Sequence, residues 1–169
     1  MNFYDAADSI IQEFIDSGYR HMLDIPNNKV WVTESTTSTL VFHKKNVVIE
    51  FYFFHPSMET PMHSHPFHNK IIFLGGDLIG HKQNPNDPLS KTSVALGDSH
   101  KLKLGPMMPA GILHGFTTGP IGGNLYNIQI WEHDIEYPVS AGVEYQGISL
   151  GPVHQKLINE RIESGLQGK

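Results

Sequence analysis

Two histidine-bearing segments about fifty residues apart carry the side chains best suited to chemistry: Pro61-Met62-His63-Ser64-His65 and Pro109-Ala110-Gly111-Ile112-Leu113-His114. His63 and His65 are two apart, which on a strand turns both imidazoles to one face. Asn69 shares that face if the strand continues. His114 follows a Pro-x-Gly turn, a place from which a side chain can be aimed across the mouth of a sheet. Three neutral imidazoles converging on one point hold a divalent transition metal and leave coordination positions open. A mononuclear site with His63, His65 and His114 as ligands is therefore the leading expectation.

Other polar residues fall where they could serve such a site. The run Val47-Val48-Ile49-Glu50-Phe51-Tyr52-Phe53-Phe54 reads as a central strand, apolar on both faces. Glu50 is its only charge and shares a face with Tyr52. A buried acid needs a partner, so Glu50 either supports the metal ligands from behind or faces solvent near an edge. Along Asn124 to Trp131, alternation sets Asn127, Gln129 and Trp131 as a pocket wall and Tyr126, Ile128 and Ile130 as core. Asn69, Glu50, Tyr52 and Gln129 are the candidate catalytic residues. His68 should point away from Asn69 unless a bulge at Pro66-Phe67 turns it inward as a further ligand. Glu59 reads as an exposed loop acid, His133 as a surface residue, and Met62, Met107 and Met108 as packing. His21, His43, His81, His100 and His154 have no partner at ligand spacing.

The elements that must position these groups are mostly strands. Residues 1–24 read as a helix, with Phe3, Ala7, Ile10 and Phe14 in one apolar stripe and Gly18 as a stop. From Val30 the texture is β, with strands at 30–33, 38–42 and 47–54 and a turn over 43–46. The His63-x-His65 strand runs on through Ile71 to Leu74. The polar stretch from Gln83 to Ser93 reads as an exposed loop. Short strands follow at 102–104, 111–117 and 124–131, with a turn over 118–123 before the last. Val153, Leu157, Ile158 and Ile162 suggest a short C-terminal helix ending at Gly165. Many short strands with Gly and Pro turns, flanked by helices, point to a β-sandwich or barrel.

The 169 residues suit one domain with a sizeable core. The net charge is −5 and the longest basic run is Lys44-Lys45, which argues against nucleic acid or an anionic membrane as partner. The absence of cysteine excludes disulfides, thiolate ligands and a Cys nucleophile. No apolar stretch approaches about twenty residues and the N-terminus has no signal-peptide pattern, so a soluble cytoplasmic protein is expected.

These residues resemble the cupin superfamily, a double-sheet jelly roll with two short motifs. Its first motif is Gly, five residues, His-x-His, three or four residues, Glu, six residues, Gly. Here His63, His65 and Gly76 match, while Ser57 stands at the opening glycine and Asn69 at the glutamate. The second motif is Gly, five residues, Pro-x-Gly, two residues, His, three residues, Asn. Pro109, Gly111 and His114 match, and Lys103 and Thr118 replace the outer residues. The resemblance covers Val30 to Trp131. It implies an all-β jelly roll over 30–131; the N-terminal helix over 1–24 and the extension over 132–169 lie outside it, and the whole reads as a single domain.

The resemblance also implies a metal bound by His63, His65 and His114, with Fe(II) favoured over Zn, Ni or Mn. An amide at position 69 leaves the site's charge at +2 where a carboxylate would make it +1. Such a site is a stronger Lewis acid and favours an anionic, chelating substrate. Three-His cupins include thiol dioxygenases and diketone-cleaving enzymes, so an Fe(II)-dependent dioxygenase acting on a small anionic molecule and O₂ is the favoured function. The alternatives are a sugar or nucleotide-sugar isomerase or epimerase, with a His base and a Tyr acid, and a non-catalytic cupin that binds a small ligand. A homodimer is implied by the resemblance alone.

Overall fold

The computed structural model describes residues 2–19, 30–84 and 86–141. The expected C-terminal helix, His21 and His154 lie outside them. Helix α1 spans Phe3–Asp16, shorter than the 1–24 reading. Asn2 caps it by accepting the Asp5 N–H at 3.0 Å. Gly18, at φ +76°, takes the chain out of the helix. Its buried face, Ala7, Ile10, Ile11 and Phe14, packs on Val41, Phe42, Ile49, Ile128 and Ile130. Burying Phe14 and the two isoleucines contributes about 1.5–3 kcal/mol each.

The strands are β1 (Val30–Val32), β2 (Thr36–Lys44), β3 (Val47–Phe54), β4 (His68–Asn84), β5 (Asp87–Leu96) and β6 (His114–Ile130). They form one antiparallel sheet in the order β1-β2-β3-β6-β4-β5. It is the all-β jelly-roll arrangement. β3 pairs with the second half of β6, from Val47↔Ile130 to Phe54↔Gly123. β4 pairs with β6 along nearly all its length, from His68↔Ile130 to Lys82↔His114. Alternation on β6 turns Ile128 and Ile130 to the helix and Gln129 to the other side, where it accepts from Trp131. The expected pocket-wall role of Trp131 is corrected, since it packs in a core cluster with Trp31, Leu40, Val48 and Phe67.

Four local expectations are corrected. The turn expected over 118–123 is a bend inside one continuous strand. β4 crosses β6 there with register shifts at Gly75 and Gly76, so the glycines bend the ribbon without ending it. Gly76 is required: a Cβ would stand 2.1 Å from the Gly122 carbonyl oxygen, and φ is +110°. The loop expected over 83–93 is largely the end of β4 and the start of β5, paired Gln83↔Lys91 and Lys82↔Thr92. Its polar residues mark an exposed edge strand, which takes the same composition as a loop. Leu102–Leu104 makes no strand, and the chain around it makes only isolated bridges to β4, Phe73↔Lys101 and Ile72↔Leu104. His63 and His65 precede β4 and are held by bonds to the segment leading into β6.

Candidate metal centre

The two histidine segments zip to each other. His63 N–H donates to the His114 carbonyl at 2.9 Å, and His114 N–H donates back at 2.8 Å. Gly111 N–H reaches the His65 carbonyl at 3.0 Å, and Asn69 and Met108 exchange both bonds at 2.9 and 2.7 Å. The bridges 63–114 and 69–108 are in register with each other, since six residues separate their members on both segments. Directly opposed residues share a face, as do residues two apart. His63, His65, Asn69, Met108 and His114 therefore present one face, and all five line one cavity of about 270 Å³.

The three imidazoles are buried, and one ligand nitrogen from each lies within 4.8 Å of the others. Ring centroids are 4.7 Å apart for His63–His65 and His63–His114, and 4.9 Å for His65–His114. His63 Nδ1 lies 2.6 Å from the Pro61 carbonyl and His114 Nδ1 2.9 Å from the Ile112 carbonyl. Each carbonyl accepts the Nδ1 proton, which puts the ring's lone pair on Nε2 and fixes the tautomer a metal needs. The His65 ring stacks on Phe67 at 4.6 Å and 10°. Burial pushes the His114 pKa down, outweighing the Ile112 carbonyl, which favours the cation. The imidazole is thus kept neutral and available as a ligand. Three imidazole nitrogens gathered this closely would suit a divalent transition metal, which His63, His65 and His114 would hold.

Behind the cavity wall lies a second polar cluster. Asn69 Nδ2 donates to Asn127 Oδ1 at 3.3 Å, and Asn127 Nδ2 donates to Glu50 Oε1 at 3.0 Å. Glu50 is fully buried. It also accepts from Gln129 Nε2 at 2.7 Å and from the Ala141 N–H at 3.1 Å. Gln129 bonds onward to the Val139 carbonyl, and its Oε1 accepts from Trp131 Nε1 at 2.9 Å. Burial pushes the Glu50 pKa up, opposed by the bonds from Gln129, Asn127, Ser140 and Ala141.

The expected site residues therefore divide. Asn69 and Tyr52 line the cavity with the histidines, and the Tyr52 hydroxyl lies 3.3 Å from Ser140 Oγ. Glu50 and Gln129 lie behind the wall and reach it through Asn127 and Ala141. The solvent-facing reading of Glu50 is corrected. So is the inward reading of His68, which faces the helix: its Nδ1 accepts from the Ala110 N–H at 3.1 Å, and its Nε2 lies 3.3 Å from the Tyr4 hydroxyl. The bond from Ala110 steadies the turn leading to His114. Glu59 is exposed. His81 bridges Thr117 and Ser93 hydroxyls at 2.7 Å each. The sequence reading misses Lys82, Thr92 and Val94 as cavity residues, because they lie in or beside the 83–93 stretch, which has the composition of a loop.

No family model matches the chain, and no curated protein matches its sequence. Solved structures do. An oxalate decarboxylase of Lactobacillus farciminis in its formate complex superposes with a TM-score of 0.52 at 10% identity, covering 63% of this chain and 31% of that one. A point mutant of Bacillus subtilis oxalate decarboxylase gives 0.56 at 11%, covering 71% and 30%. A third structure, from work on the Mn(II) centres of the B. subtilis enzyme, gives 0.56 at 10%, covering 71% and 30%. These enzymes are cupins, and the likeness establishes that fold for this chain. The matched part is about a third of each enzyme's length. The chain thus has the cupin jelly-roll fold, and within it three clustered imidazoles each offer one ligand atom, a set that could hold a metal ion. No helix among the described residues is long and apolar enough to cross a membrane.

Proposed function

We propose that the chain is a mononuclear metal-dependent enzyme, an Fe(II) dioxygenase that acts on a small anionic organic molecule. The observation that carries this reading is the convergence of three buried imidazole nitrogens within 4.8 Å at the wall of a cavity. Fe(II) held there supplies a Lewis-acidic centre of undiminished +2 charge and a means of using O₂. The chain's residues do the rest. The carbonyls of Pro61 and Ile112 orient the His63 and His114 rings. Asn69, tethered to Asn127 through its amide nitrogen, keeps its carbonyl oxygen as a neutral donor beside the histidines. Tyr52, Phe54, Phe116 and Leu125 supply an apolar wall that limits water.

One observation favours a second reading. Tyr52 lines the same cavity as the histidines, the His and Tyr pairing that an isomerase or epimerase would use as base and acid. Metal analysis of untagged protein, prepared anaerobically, loaded with Fe(II) and desalted, tests both. Near one equivalent of retained iron, with O₂ uptake on thiol, diketone or catechol-like acids, is the expected result. Retention of Zn, Ni or Mn in its place, without O₂ uptake, moves the assignment to isomerase chemistry. No retained metal overturns the metal-enzyme reading.

A further inference from the structure

We propose that the cavity takes an amphipathic organic acid, whose carboxylate is met by Lys82 beside the histidines and whose aromatic or branched body lies against Phe116 and the apolar residues around Gly80. The inference rests on the metal-centre reading for the second contact to the carboxylate. It begins from register. Lys82 on β4 is paired directly with His114 on β6 and with Thr92 on β5. Directly paired residues on antiparallel neighbours share a face, with Cβ atoms about 5 Å apart. His114, Lys82 and Thr92 thus form one polar row across the sheet, and all three line the cavity. A lysine stem readily spans that separation and brings the ammonium over the histidine edge.

Charge selects the sign of the ligand. No Asp or Glu side chain lines the cavity among the described residues. Lys82 is exposed and forms no ion pair among them, whereas Lys70, also at the cavity, is bound to Asp8 at 3.3 Å. A divalent ion on three neutral imidazoles with an ammonium on the same row would give a carboxylate two positive contacts.

The next row selects the body of the ligand. Two residues along each strand, Phe116, Gly80 and Val94 stand side by side, again lining the cavity. The Phe116 ring packs over Gly80, where an added Cβ would stand 3.4 Å from Phe116 Cε1. Phe54 packs on Phe116 at 4.8 Å between ring centroids, and Tyr52 and Leu125 continue the apolar surface. An all-polar anion such as oxalate would leave this surface against water. A ring or branched chain attached to the carboxylate covers it.

Calorimetric titration of the full chain, metal-free and Zn(II)-loaded, tests the inference. The probes are phenylacetate, 3-phenylpropanoate, 3-methylbutanoate, acetate, oxalate and the neutral phenylacetamide. In the loaded protein at least one apolar acid should bind about tenfold or more tightly than acetate and oxalate, and phenylacetate should bind more tightly than phenylacetamide. Lys82→Met should weaken phenylacetate about tenfold and leave phenylacetamide unchanged. Gly80→Val should weaken the apolar acids and leave acetate unchanged. If that variant does not fold, the wild-type ratio of phenylacetate to acetate carries the same half of the test. Equal binding of phenylacetate and phenylacetamide overturns the inference, as do oxalate matching the apolar acids and no apolar acid binding at millimolar concentration. Zinc retained without ligand discrimination fails this inference alone. Discrimination through Lys82 in a protein that retains no metal fails the metal reading and leaves the ligand class standing.

Discussion

Glu50 and His114 are both buried, both pushed by burial toward their neutral forms, and both touch the cavity wall through or beside Asn69 and Asn127. Their surroundings differ. Around Glu50 the chain supplies donors from β6 and from the 139–141 segment, so the carboxyl is completed by the protein. Around His114 the chain supplies two more imidazoles and no carboxylate within the cluster. Carbonyls behind His63 and His114 fix which nitrogen bears the proton. Donors gathered on an acceptor close a network, whereas like ligands gathered at one point call for a cation. Burial of a polar group therefore does not mark function; what its neighbours offer does.

The largest expected effect breaks the closed cluster. Glu50→Ala strands the amides of Asn127 and Gln129 and the Ala141 N–H, and should cost about 3 kcal/mol or more in urea denaturation. An unchanged midpoint would show that the network adds nothing. Next, the open cluster should respond to metal where the closed one does not. At a hundredfold excess over Kd, Zn(II) should stabilise the wild type by about 2.7 kcal/mol. His63→Ala and His114→Ala should keep the fold by circular dichroism and lose that gain, and variants that still retain metal would refute the ligand assignment.

The smallest effect is in pH, where the clusters should act with opposite sign. Glu50 is raised above its ordinary 4.5, so the folded chain holds a proton that the unfolded chain releases. Its contribution is full below that value and is lost as pH rises through the folded pKa. His114 is lowered from 6.5, so the unfolded chain takes up the proton first. Stability falls as pH drops below 6.5 and recovers as it rises. Urea midpoints across this range should therefore decline less with rising pH in Glu50→Gln and less with falling pH in His114→Gln. Parallel curves for wild type and both variants would contradict the opposition.

The open cluster is legible in sequence because its signals are local: a single residue between His63 and His65, and a Pro-x-Gly turn before His114. Alternation also separates Ile128 and Ile130 from Asn127 and Gln129, since a strand's period survives whatever its partners. Glu50 stands out as the one charge among apolar neighbours, yet its partners lie some eighty to ninety residues along the chain and leave no local mark. Lys82 is hidden for the same reason. Its place opposite His114 follows from the β4–β6 register, and its surroundings have the polarity of a loop. The bend at Gly76 is hidden too, because a glycine cluster looks alike whether a strand ends or turns.

The bridge between His63 and His114 has a kinetic consequence. The histidine set does not exist until β6, last of the described strands, has docked against segments far earlier in the chain. Contacts of such long loop length form late and slowly. A metal that recognises only the finished set cannot nucleate the fold. It should leave the refolding arm of a chevron plot unmoved and slow the unfolding arm, lengthening the lifetime of a native state that the chain must first reach unaided.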